Sequence, residues 1–406
     1  MAKRLRLYAS MLLSMILVSG CWDQVQIEER GFVVGVAVDA PRNENAEEQA
    51  EQEAPEKPKG KQRFLVTNQM VIPGGLVAGG QSTSQNSANE AYLNIVSEGD
   101  SLFEVSREFA TRASRPPFYQ HLKIIIFSEE IARSKNGFGN AIDVLLRDPD
   151  ARRSTKVFIS KGDARDVIEV KPQTEKLPSL YINSIGENND KTARMLPVMR
   201  IGDVHEQLLN QFSFTLPRIT AEKQEVKIAG AALFNSDHFM VGFLGEEETE
   251  GLNFLTNQIR GGLLKARFKE DLGVLSITGA KRSIVADTRD KEHLKFTYQI
   301  QCEGAIMESF DQIDLLNKEV MEKLQLVFAN EIERLCRDTI TKVHKQLPVD
   351  VIGLGSHLKQ YHKELWKEVK NDWEKGKRLY GKSEIKVVAQ VYIRNIGGIN
   401  RAELGR

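Results

Sequence analysis

HLKFTYQIQCEGAIME, residues 293–308, reads as a strand, and what surrounds it decides the fold. It is the last of three strand-like segments with hairpin-sized gaps, after LLKARFK (263–269) and LGVLSITGAKRSIVAD (272–287). A run of about 35 residues from Gln312 to Gln346 follows. In it Ile313, Leu316, Val320, Leu324, Val327, Ile332, Leu335, Ile340 and Val343 share one face of a helix roughly 50 Å long. A second helical segment spans Asp350 to Arg378, and EIKVVAQVYIRN (384–395) closes the chain as a strand. An antiparallel sheet packed on one face by long helices accommodates all of these pieces, so the C-terminal region is expected to be α+β.

Upstream of it, KIAGAALFNS (227–236) and HFMVGFLG (238–245) read as strands around a tight Asn235-Ser236-Asp237 turn, and EEETEGLNFLTNQ (246–258) as an acidic helix. The first half alternates. GFVVGVAVDA (31–40), QRFLVTNQMVIP (62–73), AYLNIVSEG (91–99), HLKIIIFS (121–128) and STKVFISKG (154–162) are strand-like. SLFEVSREFATRAS (101–114) and GNAIDVLLRD (139–148) are helical, and Ser101 with Glu104 carries the capping-box spacing. This rhythm predicts a mixed sheet flanked by helices. Residues 41–61, PRNENAEEQAEQEAPEKPKGK, hold too little apolar surface to offset their ordering entropy and read as a mobile acidic loop. Gly74 to Ser87 reads as a linker, because it lacks the Gly-Lys-Ser/Thr ending of a phosphate-binding loop. Short helices broken by Pro172, Pro178 and Pro197 lead into the second half. The expected organisation is a multi-domain α+β chain. Residues 1–20 form a removable signal peptide, 21–212 an N-terminal α/β region with two subdomains, and 213–406 a C-terminal α+β domain.

The chain opens MAKRLRLYASMLLSMILVSGC. Lys3, Arg4 and Arg6 precede a short apolar run, Leu7 to Val18, the layout of an export signal. Val18-Ser19-Gly20-Cys21 resembles a bacterial lipobox: the Cys21 thiol takes a diacylglycerol, the signal is cut before it, and the new amino group is open to acylation. Acyl chains bury about 0.8 kcal/mol per CH₂, and two or more make attachment stable. The plainer alternatives are an ordinary signal peptide, or an uncleaved anchor with a chance cysteine.

Lys plus Arg and Asp plus Glu both number 56, so no global field favours nucleic acid. Cys302 and Cys336 are expected to be isolated buried thiols, a disulfide being the alternative. HLKQYH (357–362) spaces its histidines five apart, one step too many for two imidazoles over one metal on a helix. Glu246, Glu247 and Glu248 suit the positive end of a helix. No nucleophile motif stands out, so no catalytic residue, metal or cofactor is expected beyond the acyl lipid on Cys21. Trp366 and Trp373 lie seven apart on one expected helix and offer either a partner-binding face or core packing.

Three stretches together resemble one family. They are CWDQVQIEERGFVVGVAVD (21–39), AGAALFNSDHFMVGFLGEEETEGLNFL (229–255), and DVIGLGSHLKQYHKELWKEVKNDW (350–373) with its closing strand IKVVAQVYIRN. The chain is similar to the Ger(x)C family, the lipoprotein C subunits of nutrient germinant receptors in endospore-forming bacteria. That resemblance implies a lipid-anchored, non-enzymatic subunit at the outer face of the inner spore membrane, assembled with polytopic A and B subunits. It also implies three α/β domains, and it carries a role only to Cys21. The Glu-rich insertion at 41–61 is longer than the family pattern needs. Two rival functions remain, a solute-binding lipoprotein that captures the germinant and an envelope hydrolase.

Overall fold

The computed structural model of the protein describes residues 29–41, 62–76, 90–135, 137–268, 271–309 and 315–395. The signal segment, Cys21 and nearly all of the 41–61 loop lie outside the described residues.

A nine-stranded sheet organises the first part of the chain. Its strands are β1 (Gly31–Asp39), β2 (Phe64–Val71), β3 (Tyr92–Gly99), β4 (Pro117–Phe118), β5 (Ile124–Ser128), β6 (Lys156–Ser160), β7 (Phe214–Glu222), β8 (Glu225–Phe234) and β9 (Met240–Leu244). Their order is β3-β2-β1-β5-β6-β7-β8-β9, with the short β4 on β1. The centre, β1-β5-β6-β7, is parallel, and antiparallel strands extend it on both sides. All five residues of β5, Ile-Ile-Ile-Phe-Ser, are buried, as a parallel strand covered on both faces requires.

Helices supply those covers. On one face lie α1 (Leu102–Arg112), α2 (Glu129–Arg133), α3 (Phe138–Arg147) and α6 (Ile201–Asn210). On the other lie α4 (Ala164–Ile168) and α5 (Pro178–Gly186). Alternate residues of the central strands divide accordingly: Ile125 and Phe127 join the first core, Ile124 and Ile126 the second. The expected cap of α1 is present, with Ser101 Oγ accepting the Glu104 N–H at 3.1 Å. The Glu104 carboxylate reaches back one residue further than a capping box requires, to the Asp100 N–H at 2.9 Å.

After α7 (Glu246–Leu255) comes a four-stranded sheet in sequential order, β10 (Gly262–Phe268), β11 (Asp271–Asp287), β12 (Lys295–Ser309) and β13 (Glu384–Asn395). Its inner face packs on the long α8 (Lys318–Ile340) and on α9 (Leu354–Tyr361) and α10 (Lys363–Val369), so the α+β expectation holds. Two details differ. The expected sheet was antiparallel throughout, but β13 pairs parallel to β12, with Lys295 opposite Glu384. The intervening helices carry the chain back to the end of the sheet from which β12 started, and a strand returning that way must run in the same direction. The long helix begins at Lys318 rather than Gln312, capped by the Asn317 side chain, which leaves Leu316 67% exposed while Phe328 is fully buried.

The 212/213 boundary read from the sequence falls inside one hydrogen-bonded unit, because β7, β8 and β9 continue the large sheet. β8 explains why. Ala232 and Phe234 point into the first core of the large sheet, whereas Ala231 and Leu233 point into the C-terminal core. The halves share apolar packing through a strand buried on both faces.

Candidate functional site

The polar machinery of the described residues concentrates where the halves meet, and α7 is its hub. Its first-turn carboxylates are attracted to the helix N-terminus, as the sequence suggested, but each also grips a different element. Glu246 pairs with Lys227 on β8 and lies 3.8 Å from Arg194, and the lysine holds its carboxyl below the usual range. Glu247 meets Arg334 of α8 at 3.1 Å. Glu248 accepts from the Gly245 N–H at 2.6 Å and from Lys342 at 3.0 Å. One turn on, the Asn253 amide donates to the carbonyls of Ala193 and Met195 at 2.8 and 2.9 Å. Gly251 brings α7 against α8: a Cβ there would stand 2.4 Å from the Leu335 carbonyl oxygen.

Glu250 is the costly member. It is 2% exposed, its Oε2 lies 3.3 Å from Arg194 Nε, and its Oε1 has no hydrogen-bond partner among the described residues. Burial outweighs the arginine and pushes its carboxyl up to about 7. The folded chain therefore holds a proton that the unfolded chain has released between the ordinary value of 4.5 and about 7. Stability contributed at this position is full below that window and falls as pH rises through it, by on the order of 3 kcal/mol. Glu250→Gln is expected to flatten the pH dependence of chemical denaturation between pH 5 and 8. An unchanged slope would remove Glu250 as its source.

A second joint is built around Asp350, which is 7% exposed. Its Oδ1 accepts from the N–H groups of Gly353 and Leu354, both at 3.0 Å. Its Oδ2 accepts from the Gly355 N–H and, at 2.8 Å, from the Trp373 indole. The next residue, Glu374, accepts the Asp350 N–H and binds the Ser213 hydroxyl at 2.6 Å, which ties the C-terminal loop to the large sheet. Burial raises both carboxyls.

These contacts place the two tryptophans. Trp373 is 3% exposed and packs edge-on against Phe296 and Trp366, and Trp366 closes on Phe212 at 5.7 Å between ring centres. The seven-residue spacing offered a partner face. In the structure Trp373 has almost no surface to present, and the pair joins the protein's own halves. The reason lies in Asp350, whose carboxylate draws the indole N–H inward.

The remaining sequence candidates are dispersed. Cys302 and Cys336 are both free and buried, as expected. Burial pushes the Cys302 thiol up to about 12 and raises Cys336 as well. His344 bonds the Tyr380 carbonyl at 2.8 Å, and the His357 and His362 rings lie 6.0 Å apart. Among the described residues no three His, Cys, Asp or Glu side chains are placed to hold a metal ion. An apolar cavity of about 50 Å³ under α1 and α3 has room for a water or two beside Asn68 and Tyr119. Sequence reasoning missed Arg194, Glu250, Asp350 and Glu374. A lone Asp before Gly-x-Gly was the only signal for this set, and it does not distinguish a turn from a buried anchor.

A large mixed sheet with helices on both faces, joined through a buried polar seam to a helix-packed second sheet, defines a two-part α+β protein. Both parts match spore-germination profiles. Residues 23–221 match the spore germination protein N-terminal domain, and residues 229–397 match the spore germination B3/GerAC-like C-terminal domain. The chain belongs to the GerAC, or Ger(x)C, spore-germination family. It is 30% identical to spore germination protein YndF of Bacillus subtilis (strain 168), over 95% of each chain. It is 24% identical to spore germination protein A3 of the same organism, over 95% of this chain and 96% of the relative. The crystal structure of the GerBC protein shares the fold, with a TM-score of 0.57 at 21% identity over 84% of this chain and 96% of that one.

Proposed function

We propose that the chain is a non-enzymatic, lipid-anchored subunit of a nutrient germinant receptor, held at the outer face of the inner spore membrane beside polytopic A and B subunits. The observation that carries this reading is the match of both halves to the spore-germination family in a chain whose opening segment ends in Val18-Ser19-Gly20-Cys21. Acyl chains on Cys21 would confine the folded part to the membrane plane and raise its effective concentration beside its partners. Among the described residues no helix is long and apolar enough to cross a membrane. The buried carboxylates serve the joint between the halves, which fits a scaffold rather than a catalyst.

Spores carrying Cys21→Ala provide the test. Expected are a reduced response to nutrients, a normal response to a trigger that bypasses receptors, and loss of the acyl mass from the N-terminal peptide. Unchanged nutrient germination without the acyl group would make tethering dispensable. Failure of both triggers would point downstream, towards cell-wall hydrolysis.

A further inference from the structure

Lys156 opens β6 yet is only 5% exposed. Its ammonium donates to the Asn183 carbonyl at 2.8 Å and meets Glu187. It walls a polar cavity of about 260 Å³ whose lining also includes Lys123, Arg152 and Arg200. The backbone gathers these side chains. The Lys156 N–H donates to the Lys123 carbonyl at 2.9 Å, Lys156 forms a bridge with Arg200, and the Thr155 N–H donates to the Arg152 carbonyl at 3.1 Å.

Among the described residues Glu187 is the one acid of the lining, against four cations, and it is taken by Lys156. Lys123, Arg152 and Arg200 have no carboxylate partner for their side chains among the described residues; Asp203 takes only the Arg200 backbone N–H. Like charges around one concavity repel unless an anion sits among them. Arginine forks suit the oxygens of a phosphate.

The position of the cavity identifies the source of that anion. It lies at the edge where the parallel strands β1, β5 and β6 begin, and the Lys123 N–H donates to the Val34 carbonyl of β1. Cys21 precedes Gly31, the first residue of β1, by ten positions, a reach of at most about 35 Å. The end that would carry the acyl chains thus enters the fold on the same edge as the cavity.

We propose that this cavity seats the phosphate of anionic phospholipid headgroups in the membrane that receives the Cys21 acyl chains. The orientation rests on the lipid-anchor reading above. Acyl chains alone hold the protein near the surface but leave it free to swivel. A headgroup seated against Lys156 fixes which edge faces the bilayer and so presents the opposite edge to other subunits.

The test uses the chain from residue 22 onward, which keeps every described residue and has no anchor. Vesicles of phosphatidylcholine alone, or with phosphatidylglycerol added, are floated with it. Expected is binding to the phosphatidylglycerol vesicles only, weakened by salt and by competing inorganic phosphate. Arg152→Glu with Arg200→Glu, both exposed positions, should reduce it at least about tenfold with an unchanged circular dichroism spectrum. Lys156→Met, checked the same way, should also reduce it. Equal binding of the charge-reversed chain, or no binding at all, overturns the proposal. Calorimetric binding of inorganic phosphate, lost in the variants, without vesicle binding would assign the cavity to a free oxyanion and overturn the headgroup. The anchor is read separately: failure of the acylated chain to stay on phosphatidylcholine vesicles counts against Cys21 and leaves the cavity result standing.

Discussion

Asp350→Ala is expected to destabilise the protein by about 3–5 kcal/mol, the largest effect of any single truncation outside the apolar cores. The alanine removes an acceptor and leaves four donors behind: the N–H groups of Gly353, Leu354 and Gly355 and the Trp373 indole. Each would be stranded at the start of α9 or on Trp373 with little access to water, and unpaired buried donors cost more than a hydrogen bond contributes. Asp350→Asn separates charge from geometry. Its one oxygen can serve half of the donors while its amide faces the others, so its loss should be smaller, at about 2 kcal/mol. Trp373→Phe removes one donor and some ring area and should also fall below the alanine change. Urea denaturation of the three variants checks the order. If Asp350→Ala matched Trp373→Phe, the carboxylate would not be the organiser of this loop. The damage should reach the joint, since Glu374 holds both the Asp350 N–H and the Ser213 hydroxyl.

Gly251→Val should cost about 3 kcal/mol or more through the approach of α7 to α8. A Cβ at this position meets Thr339 Oγ1 at 2.3 Å and the Leu335 carbonyl oxygen at 2.4 Å. The first neighbour can rotate away. The second is backbone, so one helix must move. Helix propensity argues the other way, since glycine in a helix is disfavoured by about 1 kcal/mol relative to alanine, so even Gly251→Ala tests the contact. A rise in melting temperature in Gly251→Ala would show that the helices can separate freely. Adding Thr339→Gly should fail to rescue the valine variant, because the Leu335 carbonyl remains. Displacing α7 would also disturb Glu246, Glu250 and Asn253, which hold Lys227, Arg194 and the 193–195 backbone.

Much of the local structure was legible in the residues. The Ser101 cap, the apolar run Ile124–Phe127 of β5 and the face of α8 carrying Leu324, Ile332 and Leu335 follow from periodicity and capping chemistry, which act over a few residues. The family too was legible, in the stretches around Cys21, Gly230 and Asp350. Pairing was not. Periodicity reports that one side of a segment is buried but not what buries it, so the pairing of β7 to β9 with the first-half strands stayed hidden and β13 was given the wrong direction. The acidic run of α7 and the Trp366–Trp373 spacing were visible as patterns. Only the tertiary structure decided that the carboxylates clasp Lys227, Arg194, Arg334 and Lys342, and that Asp350 turns Trp373 inward. The same holds for the cavity at Lys156, whose four cations come from three separate segments of the chain. Such sites depend on contacts between residues distant in sequence, and their energetics appear only when folding has brought those charges together and removed the water between them.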